Sequence, residues 1–527
     1  MASPEKTLHR DKFKNEPITD FSKPQNHKKM EDALRKVKDM LGREYPLIIG
    51  GEKIAATEKI ESRNPSHPGE IVGIFQKATV EMANKAVEAA NCAFEHWKRV
   101  PDEKRVACVF RAGDILKKRR FELDAWLCYE TGKTWPEADA DVAELIDFCE
   151  YYGREMLRLS GPHKLVPLRG EKNYMKYIPL GVGVIIPPWN FAGAIMGGMT
   201  VASLVTGNTA ILKPSSDSPT IAALFVDILY EAGVPRDVVT FITGPGSIAG
   251  EALVLHPKTR FVGFTGSKEA GLRISEQAAK TQPGQVWIKR TVLEMGGKDA
   301  IIVDEEADLE SAVEGVAVSA FGYQGQKCSA CSRAIVAEKV YDKFLEKLVE
   351  RVKKIKVGPA EDPSNYMGPV INKAAMKSIL DYIEVGKKEG RLLTGGKPVG
   401  GDGYFIEPTV IADVGRKARI FQEEIFGPVL AVAKAKNFDD ALAMANDTEF
   451  GLTGAVYSKN KKKIERAAED FHVGNLYLNR KCTGAMVGVH PFGGFNMSGT
   501  DSKGGGPDYL LLFLQAKSIG EKAGVTK

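Results

Sequence analysis

The sequence predicts an α/β protein built on two parallel sheets, and three stretches carry that reading. Between residues 182 and 279 strand and helix signals alternate, and such alternation implies a parallel sheet with right-handed crossovers. A second alternation runs from 300 to 471. Residues 180–212 hold no charged side chain, as expected of strands covered on both faces. That run has the length of a membrane span. Pro187, Pro188, Asn190, Asn208 and several glycines interrupt it, however, so a buried strand–loop–helix–strand unit fits better.

Taken in order, the first 45 residues are highly charged, and Met30, Ala33, Leu34, Val37 and Met40 give residues 26–41 a helical spacing. Residues 47–49 read as a strand entering a hairpin at Gly50-Gly51. Residues 80–158 are helical in pattern, with a long helix through 139–154 that puts Val142, Leu145, Ile146 and Cys149 on one face. In the first alternating region the strands are 182–186, 209–212, 238–242 and 260–264, and the helices are 194–205, 219–232, 247–256 and 268–279. In the second, the strands are 300–303, 334–336, 429–433 and 454–456, and the helices are 308–321, 340–353, 373–389, 439–445 and 461–471. Residues 509–514 form a very apolar stretch that reads as a strand. Left exposed, such a strand promotes aggregation, so it is expected to pair with another subunit; burial against its own chain is the alternative.

Bulk properties narrow the function. A chain of 527 residues predicts two to four domains. With 43% hydrophobic and 27% charged residues the composition is that of a globular protein. A net charge of +5 without a concentrated basic stripe argues against nucleic-acid binding, and the basic run at 459–463 reads as a solvated helix start. Seven cysteines without regular spacing argue against a disulfide framework and for a reducing compartment, the cytoplasm. Residues 1–10 include Glu5 and Lys6 and lack the apolar core of a secretory signal. No internal repeat is evident.

Several short motifs can carry chemistry, each with a plainer alternative. Cys328 lies in Gly325-Gln326-Lys327-Cys328-Ser329-Ala330-Cys331. Small neighbours leave room at the sulfur and a nearby cation favours the reactive thiolate, although a buried structural cysteine is the commoner fate. Cys328-x-x-Cys331 also fits a redox dithiol or half a zinc site, but a zinc site needs further ligands and no cluster matches. Pro187-Pro188-Trp189-Asn190-Phe191 ends the first strand of its region, and the Asn190 amide is either a donor to a ligand oxygen or part of a turn. Lys213 ends the next strand, near a cofactor's sugar or phosphate or simply in solvent. Gly266-Ser267 opens a helix, where free N–H groups and the dipole suit a pyrophosphate, and Ser267 serves equally as a cap. No G-x-G-x-x-G occurs. Glu294 before Gly296-Gly297 is a general base or a surface residue before a turn. Glu424 with Phe426-Gly427 is a ribose holder or a turn.

The joint order of these motifs resembles the aldehyde dehydrogenase superfamily from about residue 47 to 515. The loop 481–485 (Lys-Cys-Thr-Gly-Ala) and the run 491–500 followed by Gly504-Gly505-Gly506-Pro507-Asp508-Tyr509 resemble the branch that acts on Δ1-pyrroline-5-carboxylate. The resemblance implies an aldehyde dehydrogenase-like fold. In it, residues 1–158 and 180–296 form N-terminal helices and a Rossmann-type dinucleotide-binding domain, and 297–485 a catalytic domain. Residues 159–179 and 506–527 form an oligomerisation arm, and 486–505 return to the cofactor domain. It further implies NAD(P)-dependent oxidation of L-glutamate γ-semialdehyde to glutamate, in proline and arginine catabolism, by a homo-oligomer that binds neither membrane nor nucleic acid.

By the same resemblance Cys328 attacks the aldehyde, Asn190 and the Cys328 N–H hold the oxyanion, and Glu294 activates the hydrolytic water. Pro188, Trp189, Lys213, Ser216, Gly246, Gly266, Ser267, Glu424 and Phe426 match cofactor positions. Ser216 stands where NAD-strict relatives carry Glu, so NAD with NADP tolerated is expected. Ser329, Gly484 and Ala485 match a carboxylate anchor built from backbone and hydroxyl. Phe191 and Phe492 sandwich the aliphatic chain, and Glu144 faces the substrate ammonium. An inactive binding protein of the same fold and a dehydrogenase of another aldehyde are the competing readings.

Overall fold

The computed structural model describes residues 10–524; residues 1–9, most of the stretch read as lacking a signal core, lie outside them. The first alternating region forms a seven-stranded sheet in the order Arg290–Glu294, Thr259–Thr265, Val182–Ile186, Thr209–Leu212, Val239–Phe241, Leu47–Ile49, Glu52–Ile54. Its first five strands are parallel and the hairpin at Gly50-Gly51 joins antiparallel. The second region forms another seven-stranded sheet, in the order Arg391–Thr394, Thr409–Ala412, Val429–Ala435, Cys331–Ala337, Asp299–Val303, Thr453–Tyr457, Asn475–Leu478. All its pairs but the first are parallel. The central strands are buried at every position but Ile186, as their unbroken apolar runs require.

Helices cover both sheets and start where the sequence supplies acceptors for free N–H groups. Asn372 accepts from Ala375 N at 2.8 Å to open Lys373–Glu389. Asp308 accepts from Ser311 N at 3.0 Å to open Leu309–Phe321. The apolar helix Ala194–Val205 has no cap of its own. Instead Asp141, from the helix Trp135–Leu159, accepts from Ala194 N at 2.7 Å and Gly193 N at 3.3 Å. The expected helix at 247–256 is a single π-turn, Gly246–Gly250, followed by Glu251–Leu255.

A three-stranded antiparallel sheet stands apart from both, formed by Pro162–Lys164, Glu171–Pro179 and Leu514–Lys522. Its long pair runs in register from Leu514↔Pro179 to Lys522↔Glu171. Here the structure corrects the sequence reading. Residues 509–514 are not a strand that seeks another subunit: Tyr509–Phe513 is a 3₁₀ helix, and the strand begins at Leu514. Tyr509, Leu510, Phe513 and Leu514 are buried in the chain's own largest core. The Phe513 and Phe261 rings meet edge to face at 5.3 Å, and Tyr509 stacks on Tyr152 at 5.3 Å. A run of apolar residues too short to show periodicity does not distinguish these outcomes.

No helix among the described residues is long and apolar enough to cross a membrane. All seven cysteines carry free thiols.

The burial of Phe513 predicts that Phe513→Ala lowers stability by about 3–5 kcal/mol. Calorimetric melting at two protein concentrations tenfold apart should show the same loss; an interface residue would show a loss that shrinks as concentration rises.

Candidate functional site

The site lies at the seam between the two large sheets. Carboxyl ends of first-sheet strands deliver Pro187–Asn190, Lys213, Gly266 and Glu294; amino ends of second-sheet strands follow Cys328 and the turn at Glu424–Gly427. Residues 295–298 join the last strand of one sheet to the first strand of the other. Ligands settle where such strand ends leave a crevice.

The structure brings Cys328, Asn190 and Glu294 together. The Asn190 side chain, 4% exposed, donates from Nδ2 to the Gln326 carbonyl at 3.0 Å, two residues before the cysteine. A Cβ on Gly297 would come within 2.5 Å of the Cys328 carbonyl, so the loop after Glu294 lies directly on the backbone at Cys328. A Cβ on Gly325, whose φ is +67°, would lie 2.3 Å from the Gly427 carbonyl, which locks the turn after Glu424 onto the same loop. Only glycine permits either approach. The segment between holds two further left-handed residues, Tyr323 and Gln324, a costly conformation that persists only when its surroundings fix it.

The Glu294 carboxylate is held rather than free. Its Oε1 accepts from Ser502 Oγ at 2.6 Å and Ser502 N at 3.3 Å, and its Oε2 from Gly494 N at 3.3 Å. Burial nevertheless pushes its pKa up to about 7, against those hydrogen bonds. Cys328 differs from the sequence expectation of a thiolate favoured by its neighbour. Lys327 Nζ is taken by the Glu137 carboxylate at 2.9 and 3.0 Å. Burial, then the charges of Asp299, Glu294 and Glu424, push the thiol well above its ordinary range.

On the side expected for cofactor, Trp189 and Phe426 pack edge to face at 5.5 Å, with Phe426 at φ +56°. Glu424 Oε1 accepts from Gly297 N at 2.9 Å, and burial raises its pKa to about 7. Lys213 is not solvated: it is 4% exposed, its Nζ donates to the Pro214 carbonyl at 3.1 Å, and burial lowers its pKa to about 8. An ammonium has three protons, so two remain for ligand oxygens such as those of a ribose. Ser216 is exposed and uncharged. Ser267 caps the helix Lys268–Ala279, accepting from Ala270 N at 3.3 Å, and Gly266 N donates to the Glu294 carbonyl at 3.0 Å. Gly246 has open space around its α-carbon. Gly266 N is therefore taken, not free for a pyrophosphate as the sequence reading expected; the Lys213 ammonium and the open space at Gly246 are what fit a dinucleotide.

On the opposite side, Cys482 Sγ lies 3.3 Å from the Ser329 carbonyl, which ties the loop 481–485 to the loop that carries Cys328. Arg480 Nη2 donates to the carbonyls of Thr483 at 3.0 Å and Gly484 at 3.1 Å. In a planar trans peptide the N–H points opposite the C=O, so the N–H groups of Gly484 and Ala485 face away from Arg480 as a paired donor. Phe191 lies under Lys133 Nζ at 4.6 Å, and Phe492 is locked by mutual backbone hydrogen bonds with Gly504 at 2.9 and 2.7 Å. Glu144 is half-buried; burial and then Asp141 raise its pKa to about 8.

Sequence reasoning missed the residues that support these groups. Lys133 and Asp141 form an ion pair at 2.6 Å with side chains 1% and 0% exposed. The Lys133 ammonium also faces the rings of Phe191 and Tyr323 at 4.6 and 4.8 Å, so one buried pair braces both walls of the site. Glu137, Arg480 and Ser502 were missed likewise. Asp141 and Glu137 had one sequence signal, a cluster of charges on the otherwise apolar helix 135–159; Lys133, Arg480 and Ser502 lie outside that helix and had none.

The aldehyde dehydrogenase family model matches residues 53–519. The chain is 56% identical over 509 residues to a 1-pyrroline-5-carboxylate dehydrogenase of Geobacillus sp. (strain WCH70), covering 97% of this chain and 99% of that one. Among solved structures, the Thermus 1-pyrroline-5-carboxylate dehydrogenase with bound NAD matches at 51% identity and a TM-score of 0.96, over 97% of this chain and 99% of that chain. The betaine aldehyde dehydrogenase of Staphylococcus aureus in complex with NAD+ matches at 31% identity and a TM-score of 0.88, over 95% and 98%. With its α/β fold and its three converging loops, the chain belongs to the aldehyde dehydrogenase family.

Proposed function

We propose that the protein oxidises L-glutamate γ-semialdehyde, formed by hydrolysis of Δ1-pyrroline-5-carboxylate, to L-glutamate in proline and arginine catabolism, with NAD as oxidant and NADP tolerated at the uncharged Ser216. The observation that carries this reading is the contact of Cys482 with the Ser329 carbonyl at 3.3 Å, which holds a loop with paired N–H donors beside the nucleophile. A carboxylate-bearing aldehyde uses both. Full-length identity to relatives of that name supports the same substrate.

Cys328 Sγ attacks the aldehyde carbon, its proton leaves to solvent, and the carbonyl oxygen becomes an anion. Asn190 Nδ2 and the Cys328 N–H hold that anion. Lys213, Ser216, Gly246, Gly266, Ser267, Glu424, Phe426, Pro188 and Trp189 are the residues that would hold NAD, which supplies the hydride acceptor when bound. Loss of hydride leaves an acyl thioester on Cys328. Glu294, as its carboxylate, takes a proton from water, the hydroxide adds to the thioester, and Cys328 departs as thiolate. Gly484, Ala485 and Ser329 hold the substrate's carboxylate. Phe191 and Phe492 flank its chain. Glu144 gives up its proton to face the ammonium.

The arm formed by 162–179 and 514–522 exposes Leu165, Val166 and Leu168, which supports a homo-oligomer. Seven free thiols support a cytoplasmic location.

Steady-state kinetics with both cofactors test the substrate. Glutamate γ-semialdehyde should exceed succinic semialdehyde and fatty aldehydes in kcat/KM, and a reversed order would refute the assignment. Further predictions concern the chemistry. Cys328→Ala should abolish oxidation. Glu294→Gln should give a burst of about one reduced cofactor per subunit, then turnover lowered by about 10²–10⁴-fold. A base with a pKa of about 7 acts only when deprotonated. Wild-type thioester hydrolysis should therefore rise with pH up to about 7 and level off above it, a limb absent from Glu294→Gln in single-turnover assays. Asn190→Ala should lower kcat by about 10²–10³-fold with KM little changed, read from the same assays.

A further inference from the structure

Residues 10–22 run as an extended strap along the outer face of the helix Trp135–Leu159. Near its start, Arg10 pairs with Asp114 at 2.7 Å and with Glu150, and Arg154 donates to the Asp11 carbonyl at 2.8 Å. Toward its end, Thr19 gives its N–H and hydroxyl to Asp139 at 2.7 and 2.6 Å, and Phe21 packs on Trp135 at 5.5 Å. Between these fixed points Asn15 reaches the loop that follows Gly484. Asn15 Nδ2 donates to Asp147 Oδ2 at 2.8 Å and to the Val487 carbonyl at 2.9 Å. Glu16 N holds the other Asp147 oxygen at 2.7 Å, so the carboxylate cannot swing away from Asn15.

Val487 lies three residues after Gly484. The neighbouring Gly488, at φ +76°, is covered by Phe13 and Tyr151: a Cβ there would stand 3.1 Å from one ring and 3.0 Å from the other. Those rings pack edge to face at 5.2 Å, and Gly488 N donates to the Gly505 carbonyl at 2.8 Å. The loop 481–490 contains no helix or strand. Arg480 fixes one end through the carbonyls of Thr483 and Gly484; the strap fixes the other. The family model begins at residue 53, so the strap lies outside the body that aldehyde dehydrogenases share.

We propose that the strap of residues 10–22 sets the position of the carboxylate-anchoring loop, with Asn15 as the positioning residue, so that preference for a carboxylate-bearing aldehyde depends on a segment outside the common fold. This rests on reading Gly484 and Ala485 as the anchor. Asn15 touches no reacting atom. Its loss loosens the far side of the loop and weakens the grip on the substrate's carboxylate while leaving the cysteine, the oxyanion donors and the cofactor cleft as they were.

The test uses the full chain with Asn15→Ala, Asn15→Asp, which keeps the shape but turns a donor into a carboxylate against Asp147, and Lys14→Ala as an exposed control. In Asn15→Ala, KM for glutamate γ-semialdehyde should rise about tenfold, the weight of one hydrogen bond to a charged group. The Asn15→Asp rise should be larger. kcat, KM for NAD and kcat/KM for propanal, which has no carboxylate, should stay within about twofold of wild type. Lys14→Ala should match wild type throughout. An unchanged KM for the semialdehyde, or an equal loss with both aldehydes, would overturn the proposal. Hydrogen exchange in the ligand-free protein separates this from the choice of substrate. Amides of residues 484–490 should exchange about tenfold faster in Asn15→Ala, even if wild type prefers another aldehyde; unchanged exchange would overturn the positioning role.

Discussion

The site depends on how closely three backbones approach at the seam between the sheets. Gly297 sits against the Cys328 carbonyl and Gly325 against the Gly427 carbonyl, each too near for a side chain. These contacts join the end of one sheet to the start of the other, so the nucleophile's position is a property of both. Asn190 adds a side-chain link, using a proton on the Gln326 carbonyl. An amide has two protons on its nitrogen, so holding the loop and holding an oxyanion are compatible tasks.

Burial then decides the electrostatics of the resting site. Lys327, the cation nearest the cysteine in sequence, is neutralised by Glu137, and three carboxyl groups raise the thiol further. Both effects favour the protonated thiol over the reactive thiolate. Glu294 and Glu424, each with a pKa of about 7, are half-ionised near neutrality. Protonating either reduces the negative charge around Cys328, while deprotonating Glu294 makes it competent as a base. In the proposed mechanism the acylation and hydrolysis steps would thus favour opposite states of the same residue, and a pKa near neutrality would serve both.

Local signals were strong enough to place much of the fold. The helices Ala194–Val205, Lys268–Ala279 and Lys373–Glu389 agree at both ends with their spacing, and Ser267 caps the second as read. The strand Glu171–Pro179 was not legible, because Glu171, Lys172, Asn173 and Lys176 on a largely solvated arm give no apolar alternation. Tyr509–Phe513 was misread because its apolarity reflects the core it enters, not its backbone. In the site, residues carried by motifs were legible. Their supports were not, since Lys133–Asp141, Glu294–Ser502 and Asn15–Val487 are contacts that only the tertiary fold creates.

If the loop 481–485 anchors a substrate carboxylate, as proposed, no cation needs to touch that carboxylate. A lysine or arginine placed beside Cys328 would carry a full charge into a buried site, at the desolvation cost of any unpaired ion. Here Arg480 remains behind the loop, bound to the Thr483 and Gly484 carbonyls and lying over the Tyr477 ring at 4.4 Å. Its charge polarises two peptide groups whose N–H ends point the other way, so an anion bound there would meet oriented dipoles rather than an ion. Dipoles hold an anion only while their direction is fixed. A loop without regular secondary structure cannot fix that direction by itself, which is the reason its two flanks are braced by Arg480 and by the strap.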